Sequence, residues 1–521
     1  MRSTKVKSEL PKLWVCNLLR SSSFPHSAAR LELLQTHISW IILAGDYAYK
    51  IKKPVTLEFL DYSTLEKRKT ICQKEIVLNR RFAPQLYISV VPITGTKENP
   101  VVEGDGITIE YAVKMHRFAD NELVARMAKD GKITPKIARR LAATVASLHQ
   151  HLPPYKASSL LGTPNAFFRV LTQNIEQLES FGLPPSHHNR IKIVSEWLQS
   201  QFDNLFPFME ARLASGRVKD CHGNCHLVNI IVHRDKVILF DCLEFNDEFR
   251  IMDTIAEAAF LWMDMRIRKL ASLSHSFIND YLEYSGDYEG LRLLKMYACH
   301  YAMVRAKVCL IQKAESGSAL NRSSLSKQFS PYVDVAINYA LTSSPKLILM
   351  NGFSGSGKST VAKRICEKIS AICIRSDVER KRLSGLSPEE KSDGEIYSQS
   401  YFHLTYTQLL EHSKSVINAG FNCVVDATFL DRKSRRSFVN LAVSTRTPLQ
   451  IVSCTTSDRE IRRRLRLRNA MENDASEADV AVYLSQKDRQ EKYDRNEQGF
   501  VIEVNTERDE EIISMLQQLS Q

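Results

Sequence analysis

The stretch that most constrains the fold is LILMNGFSGSGKSTVAKRI, which begins at Leu347. Five mostly apolar residues lead into a loop with three glycines, and an amphipathic helical pattern follows. A strand that turns through glycines directly into a helix belongs to α/β folds with a mainly parallel sheet. Gly352, Gly355 and Gly357 leave backbone N–H groups clear of Cβ atoms, so these can curl around phosphate oxygens at the positive end of the helix dipole. Ser354, Ser356 and Thr360 complete the predicted phosphate-binding set. Lys358 is placed for the β- and γ-phosphates and Ser359 for Mg2+, so the pattern predicts ATP and Mg2+ as cofactors.

The next strands add acids where an α/β sheet collects its ligands, at their carboxyl ends. The predicted strand AICIR runs into Ser376 and Asp377, and NCVVDATF carries Asp426 at its end. Asp377 is placed to accept a proton from an acceptor hydroxyl, and Asp426 to support the Mg2+ shell. Further on, REIRRRLRLRN sets five arginines within positions 462–468. A charge run is ordinarily a solvated helix face. Arg464 and Arg468 nevertheless share one face at i,i+4, where they could close over transferring phosphates as a lid.

In the first half, HISWIIL and YAYKIKK read as strands around an Ala-Gly-Asp turn, and LEKRKTICQKEIVLNRRF and PKIARRLAATVASLHQ as helices. The stretch CHGNCHLVNI, from Cys221, admits two readings. As a metal or haem motif it has C-x3-C-H spacing, one residue longer than haem attachment, and no second ligand pair marks a zinc site. As a phosphotransfer loop, His222 opens an H-x-x pattern with Asn229 five residues after position 224, the spacing of H-R-D-x-x-x-x-N. The strands IIVH and VILFD then deliver Asp241 where a second metal-binding acid belongs, so Asn229 and Asp241 form the predicted Mg2+ pair. Upstream, Lys50 parallels the nucleotide-binding lysine of V-A-I-K and Glu75 its helix partner, with Lys52 on the same side of the strand as an alternative. The position of the catalytic aspartate is taken by Asn224, whose amide can hydrogen-bond a hydroxyl but cannot take its proton.

Composition excludes several classes. The chain has 521 residues, 44% hydrophobic and 25% charged, which describes a soluble globular protein of two or three domains. No apolar run is long enough to span a bilayer, no secretory pattern opens the chain, and eleven scattered cysteines read as free thiols, so the expectation is a cytoplasmic protein with no membrane partner. The net charge of +12 lies mostly in the first two-thirds, without a polybasic tract carrying interleaved aromatics. A basic surface around a triphosphate site is favoured over a nucleic-acid partner.

The Ser-rich stretch from Ser316 to Pro331, a helical run and the turn TSSPK place a boundary near Ser344, giving domains 1–344 and 345–521. The second resembles the P-loop kinase group that includes polynucleotide 5'-hydroxyl kinases, zeta-type toxins and chloramphenicol phosphotransferases, through GFSGSGKST, SDVERKRL, VVDATF and the arginine helix. The resemblance implies γ-phosphate transfer to a hydroxyl with Asp377 as base and Arg380 as an acceptor-side contact. The first resembles aminoglycoside phosphotransferases through the HGDxHxxN-like loop, which implies a protein-kinase-like fold. The whole chain resembles bacterial aminoglycoside-phosphotransferase-like/P-loop ATP-binding fusion proteins. The expected architecture is α/β and α+β, with a kinase-like domain that Asn224 impairs followed by a P-loop kinase domain. The expected activity is ATP- and Mg2+-dependent phosphotransfer to a small-molecule hydroxyl. Alternatives are a nucleotide-sensing ATPase with a pseudokinase module, or a nucleic-acid 5'-hydroxyl kinase.

Overall fold

The computed structural model describes residues 13–520 except 58–59, 157–159, 182, 316–318, 342–343, 393–395, 397–398 and 472–475. It divides into two compact units. Unit 1 is Met1–Thr144, Leu148–Leu270 and Met296–Ala340; unit 2 is Val145–Ser147, Ala271–Lys295 and Leu341–Gln521.

Unit 1 opens with a six-stranded sheet of β1 (Leu31–Gln35), β2 (Ser39–Ala44), β3 (Tyr47–Lys52), β4 (Tyr87–Gly95), β5 (Pro100–Val102) and β6 (Thr108–His116). The order is β1-β2-β3-β6-β4-β5, and every pairing is antiparallel. The β2–β3 turn needs Gly45: its φ is +58°, and a Cβ there would sit 2.8 Å from the Ser27 carbonyl oxygen. One side of the sheet packs Trp40, Ile42, Tyr49, Ile51 and Ile93 into a core. On another, helix α1 (Leu65–Asn79) sets Cys72 and Ile76 against Val113. Thr64 caps α1 by accepting from Lys67 N at 3.2 Å.

The remainder of unit 1 is mainly helical, with α2 (Pro135–His151), α3 (Pro164–Glu179), α4 (Pro185–Ala214), α5 (Thr254–Ile267) and two short strand pairs. In one pair β7 (Val218–Asp220) meets β10 (Ile251–Asp253); in the other β8 (Ile230–His233) and β9 (Lys236–Leu239) form a hairpin. The Ser-rich stretch begins in residues 316–318, outside the described residues, and Ala319–Ala340 is a helix with Pro331 inside it.

Unit 2 holds a five-stranded, wholly parallel sheet of β11 (Leu347–Asn351), β12 (Ile372–Arg375), β13 (Cys423–Asp426), β14 (Leu449–Thr455) and β15 (Val501–Asn505), in the order β12-β13-β11-β14-β15. Every residue of the central β11 is buried, which is why it reads as an unbroken apolar run instead of an alternation. Helix α8 (Lys358–Ile369) packs Val361 and Ile365 against Ile348 and Val424. Unit 2 also takes α6 (Ala271–Ser285), far upstream of its first strand. Asn279 of α6 donates to the Ala371 carbonyl at 3.3 Å and accepts from Cys373 N at 2.6 Å, which covers the free edge of β12. Among the described residues, no helix is long and apolar enough to cross a membrane.

Candidate active sites

Parallel strands end on one side of a sheet, and in unit 2 that side gathers the predicted residues. The loop from Gly352 to Gly357 links β11 to α8, with φ of 144°, 83° and 89° at its three glycines. Two side chains brace it. Gln486 accepts from Ser354 N at 2.8 Å and donates to Ser354 Oγ at 3.0 Å, and Thr506 Oγ1 donates to the Ser356 carbonyl at 2.6 Å. Ser356 Oγ is buried with no hydrogen-bond partner.

Asp426 ends β13 against the start of α8. It is 5% exposed, Oδ1 has no partner, and Ser359 interacts with the carboxyl as a hydrogen-bond donor. Burial raises the carboxyl above its usual range against the opposing pull of Lys358 and Arg375. A buried carboxylate with one orphaned oxygen beside a serine hydroxyl fits a divalent cation, which would satisfy that oxygen and draw the proton affinity down.

Asp377 lies in the first turn of α9 (Ser376–Leu383), where the helix dipole favours an acid. Burial acts to raise its pKa, but Arg380, 2.7 Å away, and Lys358 outweigh that and hold it at about 2. Arg380 therefore directs one guanidinium nitrogen at Asp377. Helix α12 (Asp458–Met471) brings Arg464 against the loop. Arg464 donates to Thr506 Oγ1 at 2.9 Å and to Glu460 at 2.8 Å, and a Cβ on Gly357 would meet its Nη1 at 2.7 Å. Arg468, one turn further, donates to the Ala478 carbonyl.

Unit 1 builds a second site. Lys50 and Lys52 project from the same side of β3, and both are buried. Lys50 Nζ meets Glu75 Oε1 of α1 at 2.8 Å and also Asp241; Lys52 Nζ meets Glu75 Oε2 at 2.5 Å and also Glu244. Tyr62 donates to Glu244 at 3.1 Å. Burial alone would raise the carboxyls of Asp241 and Glu244, but Lys50 and Lys52 respectively hold both below their usual range. Asp241 follows β9 with φ of 60°, a left-handed conformation fixed by donation from its own N–H to Tyr87 OH at 3.0 Å. Phe240 N donates to the Asn229 carbonyl at 2.9 Å, so the β8–β9 hairpin brings Asn229 and Asp241 to the same end. Asn229 Nδ2 donates to the Asn224 carbonyl at 3.1 Å.

Helix α5 anchors this loop through two buried acids seven residues apart, on one helical face. Glu257 accepts from Gly223 N at 2.7 Å and pairs with His149 Nε2 at 2.9 Å, while Asp264 accepts from Leu227 N at 3.0 Å. Burial lowers the pKa of His222 and takes that of His226 to about 4, leaving both imidazoles neutral near pH 7. Among the described residues the one group with metal-ligand spacing is His149, Cys221 and Glu257, and its carboxylate is already committed to Gly223 and His149. Cys225 and Cys242 are buried free thiols outside that group. A cavity of about 530 Å3 reaches Gly223 and Asn224.

Residues 83–294 match the model of the Phosphotransferase enzyme family, and residues 347–493 that of an AAA domain. The chain joins a phosphotransferase-family domain to a P-loop domain. The two matches include Asn224, Asn229 and Asp241 in the first and the loop, Asp377, Asp426, Arg464 and Arg468 in the second; Lys50 and Glu75 precede the first. The chain is 27% identical over 467 residues to an uncharacterized protein of Mycobacterium tuberculosis, covering 87% of this chain and 89% of the relative. Aminoglycoside 2'-phosphotransferase-IIIa in its GDP complex aligns at 13% identity and a TM-score of 0.36, covering 61% of this chain and 94% of its own. A gluconokinase from Sinorhizobium meliloti aligns at 21% identity and a TM-score of 0.25, covering 34% of this chain and 95% of its own.

Several residues of these sites carry no local signal in the sequence. Lys52 and Glu244 are 192 positions apart, and Thr506 lies 150 beyond Ser356. Glu257 and Asp264 had one available cue: acids at i,i+7 in the otherwise apolar helix TIAEAAFLWMDMRI, where a buried carboxylate must have a partner.

Proposed function

We propose that this phosphotransferase moves the γ-phosphate of ATP to the hydroxyl of a small molecule, with the chemistry in the P-loop domain of residues 345–521. The observation that carries this reading is the cluster of Lys358, Ser359, Asp377 and Asp426. It combines a buried carboxylate with an orphaned oxygen and an ionised acid beside the loop. Mg–ATP, when bound, supplies the phosphoryl group and neutralises charge on it. Ser359 and Asp426 would hold the cation, while the loop N–H groups, Ser354, Ser356 and Thr360 bind phosphate and Lys358 draws charge from it. Asp377 orients the acceptor hydroxyl and takes its proton as the acceptor oxygen bonds to the γ-phosphorus and the bond from that phosphorus to ADP breaks, releasing ADP; with a carboxyl held near 2 it acts late, when the hydroxyl has become strongly acidic. Arg380 steadies Asp377 at the acceptor side. Arg464, with Arg468 on the same face once it releases Ala478, covers the charge that spreads over the transferring group.

Residues 1–344 serve binding or regulation in this reading. Lys50, Glu75, Asn229 and Asp241 retain the parts for a nucleotide and its metal, but Asn224 offers the acceptor an amide in place of a base. The protein acts in the cytoplasm on a soluble acceptor. A transfer screen with γ-labelled ATP, the full chain, and panels of sugars, other hydroxyl metabolites, antibiotics and oligonucleotides tests the reading. Label on a small molecule supports it. Label only on oligonucleotides, with steep salt dependence, would replace it with a nucleic-acid 5'-hydroxyl kinase.

A further inference from the structure

The cavity in unit 1 differs in chemistry from a site for a polycation. It occupies about 530 Å3, within the range that holds a small ligand. Helix α3 and the helix Leu291–Glu315, within its unit 1 residues, supply much of its wall. Aromatic rings dominate that wall: Phe167 lies edge-on to Tyr297 at 4.9 Å, and Phe260 stacks on Tyr301 at 4.5 Å.

Two buried polar side chains break this apolar surface with nothing to satisfy them. Asn174 is 2% exposed, and neither its amide oxygen nor its amide nitrogen has a hydrogen-bond partner. His300 is 5% exposed, with Nδ1 unpartnered, and burial pushes its pKa down to about 3. Orphaned buried polar groups are rare because each costs the desolvation of its polar atoms, so an amide and an imidazole lining one cavity mark groups that a ligand completes.

Charge around the cavity is one-sided. Its carboxylates are committed: Glu248 pairs with Arg169, and Asp253 with Arg212 through 2.6 Å and 2.7 Å contacts. Lys307 donates to Gln177 at 2.7 Å. Arg305 also lines the cavity and faces no carboxylate in any ion pair among the described residues. The uncompensated charge is therefore positive.

We propose that this cavity binds a small molecule with a flat apolar body and a single anionic group, the anion directed to Arg305 and the body's polar atoms to Asn174 and His300. The proposal rests on the reading that unit 1 contributes ligand binding and names the class of ligand. Asn224 at the cavity wall would then meet whatever hydroxyl the molecule carries.

Calorimetric titration of the full-length chain with three probes of matched shape tests it: 2-naphthylacetate, 2-(2-naphthyl)ethanol and 2-(2-naphthyl)ethylamine. The acetate should bind at one per chain, and the amine at least about tenfold more weakly. Arg305→Gln should weaken the acetate about tenfold and leave the alcohol unchanged. Asn174→Leu should not lower the unfolding temperature of the free chain, because it removes an unpaired buried amide, and should leave these probes bound, because their naphthyl body offers that amide no polar atom. Equal or tighter binding of the amine, an acetate affinity indifferent to Arg305→Gln, or no one-to-one binding of any probe would overturn the proposal. The titrations are repeated in Lys358→Ala, where binding should persist. Phosphotransfer lost in that variant bears only on the P-loop assignment, so the two ideas fail separately.

Discussion

Lys52→Met should destabilise unit 1 by about 3–5 kcal/mol, the cost of stranding buried carboxylates. The magnitude follows from the charge cluster around β3. Lys50 and Lys52 face Glu75, Asp241 and Glu244, so two cations balance three anions. Without Lys52, one cation remains for the three carboxylates. Glu244, 3% exposed, then keeps only the Tyr62 hydroxyl as the partner described for it. That loss is a large part of the roughly 5–15 kcal/mol that ordinarily separates folded from unfolded protein.

The pH dependence has a definite sign. In the parent chain the Glu244 carboxyl is held below its usual range, so its contribution to stability is present above the unfolded value of about 4.3 and lost as the pH falls through the folded one. In the variant, burial without Lys52 raises that carboxyl above its unfolded value. The Lys52→Met deficit should therefore shrink as the pH is lowered from 7 towards about 5. Urea unfolding followed by tryptophan emission isolates the unit, because Trp14, Trp40, Trp197 and Trp262 all belong to unit 1. Lys52→Met/Glu244→Gln should recover about 1–3 kcal/mol, since a neutral amide replaces the stranded charge. A Lys52→Met loss below about 1 kcal/mol, the value of a surface pair, would mean that no buried carboxylate is stranded.

Three further outcomes follow. In the Lys358→Ala background, Asn224→Asp should raise ATP consumption by unit 1 by about 10²–10⁴-fold, measured as ADP release, because it restores a base at the acceptor position. Gly357→Ala should impair nucleotide binding, read by calorimetry. It forces a Cβ at φ of 89° to within 2.7 Å of Arg464 Nη1 and 3.0 Å of Thr506 Oγ1, which must shift the brace under the loop. Because Asp377 is held at about 2, it stays ionised throughout the neutral and mildly acidic range, and a pH profile of kcat/KM should show no acidic limb from it above pH 4. A limb near pH 6 that disappears in Asp377→Asn would contradict this.

The sequence was most legible where chemistry is written locally. The strand–loop–helix around Gly352–Lys358 and the spacing from Asn224 to Asn229 are short, Asp241 follows one hairpin later, and the structure forms the expected elements at these places. Lys50 and Glu75 are 25 positions apart, but strand and helix patterns framed them and they meet at 2.8 Å. Lys52 could be seen as an alternative to Lys50; that both lysines share Glu75 and that Lys52 also holds Glu244 depends on a contact across most of unit 1. Helix α6 joins unit 2 through Asn279 and the edge of β12, although a composition shift near Ser344 gives no hint that a segment so far upstream packs there. The same limit hides the cavity's orphaned Asn174 and His300, which are unremarkable in sequence and informative only once their surroundings are known.

If the P-loop domain and not unit 1 carries the chemistry, turnover depends on Lys358 and not on Asp241. Steady-state ATP turnover by the full chain, compared between Lys358→Ala and Asp241→Ala, decides between the two. Lys358→Ala should lower turnover about 10²–10³-fold, as removal of a charge-stabilising group at a reacting centre does, while Asp241→Ala keeps most of it. Full turnover in Lys358→Ala together with its loss in Asp241→Ala would place the chemistry in unit 1 instead.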